Sequence, residues 1–190
     1  MRHARLTHIA QDLWGQVLRQ GDVCVDATCG NGHDTAFLAK AVGRGGTVHA
    51  FDVQQQAIDA TQQAVAGSVP GDEAPALHLH LRSHAEMRQV VADHSARVVV
   101  FNLGYLPGSD KETITQRSST LAAVEAACQV LQPGGLCSIL CYTGHPGGVE
   151  EYEAVKAAAG ALPTSAWVTS EVRLLNRPSA PVLLLVWKRP

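Results

Sequence analysis

The apolar positions of the chain follow two rhythms that take turns almost to its end. Short unbroken apolar runs of strand length alternate with stretches whose apolar residues recur every three to four positions, as on one face of a helix. Thr7 to Arg19 is the first helical stretch, with Ile9, Ala10, Leu13, Trp14, Val17 and Leu18 on one side. Gly21 and Asp22 stop it, and Val23 to Val25 is a strand-like run closed by Asp26. His33 to Val42 reads as a helix, Thr47 to Phe51 as a strand closed by Asp52, and Gln54 to Ala66 as a helix. After a Gly/Pro-rich loop over 67–75 come a strand at Leu77 to Leu81, a helix at Ala85 to Ala92 and a strand at Val98 to Phe101. A long loop from Asn102 precedes a helix over Ser118 to Leu131, and Pro133-Gly134-Gly135 turns into a strand over Leu136 to Tyr142. Val149 to Ala159 is the last helix. Two strands joined only by a loop, Ser165 to Leu174 and Pro181 to Trp187, finish the chain.

Alternating strands and helices impose parallel pairing, whereas two successive strands with a short link must be antiparallel. The pattern predicts a doubly wound α/β fold, with a mostly parallel, Rossmann-like sheet of about seven strands and an antiparallel strand near its C-terminal edge. One domain over residues 1–190 is expected, a helix over 1–20 preceding a core over 21–190. Apolar residues make up 46% and charged ones 17%, and no run of apolar residues is long enough to span a bilayer. The N-terminus has basic residues but no apolar segment of the secretory kind. Five cysteines form no CxxC pair, and Cys24 and Cys137 fall in apolar strands. Reduced thiols and a cytoplasmic setting are therefore expected. A formal charge of −2 gives no global sign of a polyanion partner, so any such site must be local.

In an open α/β sheet the ligand lies beyond the carboxyl ends of the strands, where the strand order reverses. The first strand ends in Asp26, then Thr28-Cys29-Gly30-Asn31-Gly32, then His33, Asp34 and Thr35 at a helix start. Glycines there let the backbone turn sharply and a ligand approach without a Cβ in the way. The second strand ends in Asp52, twenty residues after Gly32, with Gln54 just beyond. An acid at that point accepts hydrogen bonds from ribose hydroxyls, which implies an adenosine-bearing cofactor, and it also suits an N-cap. Ser83 and His84 end the third strand, where a polar residue can meet the adenine; Asn102 ends the fourth. A dinucleotide fold carries three glycines, but Thr35 stands where the third would fall. That difference and the antiparallel ending favour S-adenosyl-L-methionine, which has no pyrophosphate to cradle.

DATCGNG, FDVQ and LQPGG together resemble the motifs of class I S-adenosylmethionine-dependent methyltransferases along the whole chain. The run NLGYLPGSDK over 102–111, with DATCGNGHDT and the YTGHPGG loop over 142–148, narrows the resemblance to a bacterial family labelled rRNA methylases. Its members are understood to act on tRNA, methylating the 5-aminomethyl group of wobble uridine to 5-methylaminomethyluridine. The chain departs from the family's pattern at Ser109 and near Asn176 and Arg177. The resemblance implies that Asn102 acts like the Asn of the N/D-P-P-Y loop of amino methyltransferases. Its side-chain oxygen and the Leu103 carbonyl would then accept the amine N–H bonds. Tyr105 would stack on the uracil, and Pro107 would stiffen the loop. Asp110 and His145 are candidates to take the proton, and Asp110, Lys111, His145, Asn176 and Arg177 to meet the substrate.

Lys111, Arg117, Arg173 and Arg177 surround the expected mouth, where they could contact tRNA phosphates near the anticodon, and Arg2, His3 and Arg5 could extend that patch. His78, His80 and His84 have no cysteine or carboxylate beside them, so no metal site is expected. Three classes stay open on the sequence: a tRNA or rRNA methyltransferase, a methyltransferase of a small-molecule or protein amine, and a non-catalytic nucleotide-binding module. A homodimer is compatible with each.

Overall fold

The computed structural model describes residues 5–104, 117–177 and 179–190. Helices α1 (Leu6–Val17), α2 (His33–Val42), α3 (Gln55–Ala66), α4 (Arg117–Val130) and α5 (Gly148–Gly160) flank one sheet. Its strands are β1 (Val23–Asp26), β2 (Thr47–Asp52), β3 (Ala76–Leu81), β4 (Ala96–Leu103), β5 (Leu131–Cys141), β6 (Trp167–Val172) and β7 (Val182–Lys188). They lie in the order β3-β2-β1-β4-β5-β7-β6. All neighbours pair in parallel except β7, which runs antiparallel to both β5 and β6. The order reverses between β1 and β4, which opens a crevice at their carboxyl ends.

Strand periodicity of two divides the apolar residues between two layers. Cys24, Val98, Val100, Leu136 and Leu183 face α1, α2 and α3, against Ala10, Trp14, Ala39 and Val65. Val25, Val99, Phe101, Ile139 and Leu184 face the other side, against Met87, Ala127, Val130, Tyr152 and Val155. The two central strands β1 and β4 are therefore apolar on both faces, as a covered parallel sheet requires.

Beyond shifts of one or two residues at element ends, three features differ from the sequence reading. The expected helix at Ala85 to Ala92 is a six-residue 3-10 turn, His84–Gln89. Ser83 caps it through its Oγ, and the chain leaves it at Val90, with His94 at φ 58° soon after. Only Met87 and Val91 offer fully buried apolar anchors in that stretch, too few to hold a longer helix. Pro133-Gly134-Gly135 is a wide bulge inside β5: Ala96 faces Leu131 and Val98 faces Leu136, so four residues oppose Arg97 alone. Strand β4 continues two residues past Phe101, because Asn102 and Leu103 still register with Leu140 and Cys141. Those two residues are fixed by the sheet.

Phe101 is buried on the β4 face and meets the His84 ring edge-on, with centroids 5.8 Å apart. Phe101→Ala should open a cavity there and cost about 3–5 kcal/mol, read as a lower urea midpoint at unchanged slope.

Candidate functional site

The turn after β1 is tied down from three sides. The Cys29 amide donates to the Phe51 carbonyl (2.9 Å), the Gly30 amide to Asp52 Oδ2 (3.1 Å), and the Thr61 hydroxyl of α3 to the Gly30 carbonyl (3.3 Å). Gly30 and Gly32 take positive φ, 49° and 77°. At Gly32 a Cβ would also lie 2.6 Å from Thr61 Cα, so glycine is required there both by conformation and by space. Asn31, between them, and His33 are exposed at the tip, where α2 begins.

Three carboxyl groups converge on this turn. Asp26 is fully buried; its Oδ2 accepts the Thr35 hydroxyl (2.6 Å) and its Oδ1 the Thr28 amide (3.2 Å). Burial first, and the nearby charge of Asp34 second, push its pKa up to about 7. Asp26 thus braces the turn from behind and does not face the crevice. Asp52 is half-buried at the end of β2, its oxygens accepting the amides of Gly30 and Gln54 (3.0 Å), with lone pairs left on each. Ser83 caps the 3-10 turn. His84 is buried, donating from Nδ1 to the Ala27 carbonyl (3.1 Å), and burial lowers its pKa. His84 therefore supports the turn from inside through Nδ1.

The end of β4 meets the turn directly. The Asn102 amide donates to the Thr28 hydroxyl (2.7 Å), and Asn102 Nδ2 donates to Asp34 Oδ2 (2.7 Å). A carboxylate only accepts, so the carboxamide oxygen of Asn102 is turned away from Asp34. Leu103 has a buried side chain, and its carbonyl already accepts the Tyr142 amide (3.1 Å), which leaves it one lone pair. Tyr105, Pro107, Ser109, Asp110 and Lys111 lie outside the described residues, as does the side chain of Arg117.

The rim of the crevice is built by the loops after β5 and β6. Since β6 runs parallel to β5, the loops holding His145 and Asn176-Arg177 leave the same edge of the sheet. His145 Nδ1 donates to the Pro146 carbonyl (3.0 Å), and Asn176 and Arg177 are exposed. Arg173 is bound to Glu171 and the Tyr152 hydroxyl, which keeps it off the rim. His78 and His80 stack with His49 across β2 and β3, with the His49 ring centroid 4.9 Å from that of His78 and 5.4 Å from that of His80.

Two residues that the sequence reading passed over stand at the site. Tyr142 packs on Gly104 and lies beside Asp34; burial and then that charge raise its pKa. It closes an apolar strand at the carboxyl edge, the same signal that marked Asp26 and Asp52. Gln11 of α1 donates from Nε2 to Asp34 Oδ1 (2.7 Å), and nothing in the local pattern distinguishes it from any polar helix residue.

Asp26 generates a pH prediction. Its raised pKa means that the folded state holds a proton the unfolded chain releases near pH 4, so stability falls as pH rises from there to about 7. Asp26→Asn removes that titration and leaves Asp34 and Asp52 in place. Between pH 5 and 8 the wild type should lose about 2 kcal/mol more stability than the variant in urea unfolding. Parallel curves would mean that Asp26 stays ionised.

With this geometry in place, the comparisons are specific. The family described as "Putative rRNA methylase" matches residues 48–188. A curated relative from Arabidopsis thaliana, named tRNA (mnm(5)s(2)U34)-methyltransferase, chloroplastic, is 44% identical over 191 residues, covering 97% of this chain and 70% of its own. A crystal structure of a "putative rRNA-methylase" from Clostridium thermocellum superposes with a TM-score of 0.91 at 31% identity, over 99% of this chain and 100% of its own. A "putative methyltransferase" from Streptococcus mutans, solved in complex with SAH, gives 0.84 at 31%, over 97% and 98%. The seven-stranded sheet with its single reversed strand, the acid-braced glycine turn and these likenesses agree, and the chain belongs to the rRNA methylase family of class I methyltransferases.

Proposed function

We propose that the protein methylates the amine of 5-aminomethyluridine at the wobble position of tRNA, position 34, giving 5-methylaminomethyluridine. The cofactor is S-adenosyl-L-methionine, whose sulfonium supplies a methyl group and leaves as a neutral thioether. The observation that carries the reading is Asn102, a carboxamide locked at the end of β4 beside the glycine turn, its oxygen turned away from Asp34 and without a hydrogen-bond partner among the described residues. The name of the Arabidopsis relative supports the tRNA substrate and its position.

In the reaction the amine nitrogen forms a bond to the methyl carbon as the carbon–sulfur bond breaks, its electron pair staying on sulfur. The amine needs a lone pair in line with that bond. Accepting its N–H groups at Asn102 Oδ1 and at the remaining lone pair of the Leu103 carbonyl directs that lone pair, and such positioning supplies roughly 7–11 kcal/mol in favourable cases. Asp52 holds the ribose hydroxyls. The glycine turn over 28–32, with the exposed Asn31 and His33 at its tip and Gln54 and Ser83 beside it, shapes the rest of the cofactor's bed, whereas Thr35, expected there from the sequence, is fully buried and gives its hydroxyl to Asp26. Asp34 carries negative charge beside it, in the first turn of α2. Tyr105 stacks on the uracil and Pro107 stiffens its loop. Asp110 and His145 are the candidates for the departing proton. Lys111, Asn176 and Arg177 are the candidates to meet the anticodon backbone.

Among the described residues no helix is long and apolar enough to cross a membrane. All five cysteines are buried and free, as suits the cytoplasm, our inferred setting; the Arabidopsis relative is named as chloroplastic.

Asp52→Ala should weaken S-adenosylmethionine binding by about 1.5–3 kcal/mol in calorimetry while the variant stays folded, because two hydrogen bonds to a charged acceptor are lost. Asn102→Ala should cut turnover on tRNA carrying 5-aminomethyluridine by about a hundredfold, with cofactor affinity nearly unchanged. Tyr105→Ala should instead mainly raise the apparent KM for tRNA, since stacking precedes reaction. Wild-type enzyme that ignores this tRNA but methylates a free amine would overturn the substrate.

A further inference from the structure

Asp34 stands between two carboxamides from distant parts of the chain. Gln11 of α1 donates to its Oδ1 and Asn102 of β4 to its Oδ2, both at 2.7 Å and both partly buried. Each carboxamide must turn its NH2 group towards the carboxylate, because the carboxylate offers no donor. The terminal torsion of an asparagine is otherwise broad and roughly two-fold. Asp34 removes that freedom from Asn102, and Gln11 removes it from Asp34.

Helix α1 is held in place for this by packing. Leu6, Ala10, Trp14 and Val17 are buried in the layer shared with α2, and the Trp14 ring meets Phe37 of α2 edge-on at 5.9 Å. Gln11 follows the buried Ala10 and is thus fixed against the first turn of α2, where Asp34 sits.

We propose that Gln11 is a positioning residue that acts through Asp34 to orient the Asn102 carboxamide, making α1 part of the catalytic frame. The proposal rests on the role given to Asn102 above. Gln11 touches neither reacting atom. Its contribution is the fraction of time the Asn102 oxygen faces the amine, so its loss lowers kcat and spares both KM values.

Two measurements on the 190-residue chain test this. In nitrogen-15 NMR of the protein without ligand, the side-chain amide signals of Asn102 are identified by their loss in Asn102→Ala. Gln11→Ala should shift or broaden them, and so should Gln11→Glu, which keeps the shape but replaces the donor with an acceptor. Unmoved signals overturn the relay whatever the substrate. On tRNA carrying 5-aminomethyluridine, both Gln11 variants should lower kcat about tenfold with unchanged KM, as expected for one lost bond to a charged group. In the Asn102→Ala background the same Gln11 substitutions should change kcat by less than about twofold, because coupled residues are not additive. Additive losses, or a Gln11→Glu enzyme with normal kcat, overturn the proposal. A wild type inactive on this tRNA overturns the substrate reading, and the amide signals still decide the relay.

Discussion

The hydrogen bond from the Asn102 amide to the Thr28 hydroxyl, 2.7 Å long, joins the two halves of this site. Thr28 belongs to the turn after β1 and Asn102 to the last residues of β4, and the two strands are neighbours at the point where the strand order reverses. Strand β1 ends at Asp26, while β4 runs on to Leu103, so a gap in the backbone ladder opens between them. The threonine hydroxyl fills that gap with an acceptor where a strand carbonyl would otherwise stand. Without it the Asn102 amide would be an unpaired donor in a partly buried place, which costs about 1–3 kcal/mol. The glycine turn and Asn102 are thereby held in one frame.

Charge around that frame is distributed by burial. Asp26, Asp34 and Asp52 lie close enough that each of the other two raises the pKa of Asp26. Burial makes ionisation costly at Asp26, whose pKa rises to about 7. Asp34 meets two carboxamides and Asp52 two backbone amides, donors that stabilise negative charge near the surface. A crevice edged by carboxylates suits a cofactor that carries positive charge on sulfur and on its amino group.

The reversed strand also has a functional consequence. Because β7 lies between β5 and β6, β6 runs parallel to the central strands and its following loop returns to the carboxyl edge. Asn176 and Arg177 stand there with the loop that follows Tyr142. An ordinary hairpin at the edge would have placed that loop at the opposite end, if β6 had paired directly with β5.

Local sequence determined the order and type of nearly every element. Strands with unbroken apolar runs, helices with one apolar face, and glycine at positive φ are properties of adjacent residues, and so Gly32, Asp26 and Asp52 were readable at the carboxyl ends. The reversed strand was readable for the same reason, since a short link between two strands leaves no other pairing. The 3-10 turn at His84–Gln89 was missed because helical spacing over eight residues says nothing of whether enough partners exist to bury it. The supporting roles of Asp26 and His84 came from depth: a polar residue at a strand end looks the same in sequence whether it faces the crevice or the core. Gln11 joined the site only through packing, across 23 residues to Asp34, whereas Tyr142 carried the strand-end signal and packs against Gly104. Chain-neighbour chemistry is written in the sequence, but which polar side chains share a carboxylate depends on how two layers of helices close over the sheet, and that is decided by the whole core at once.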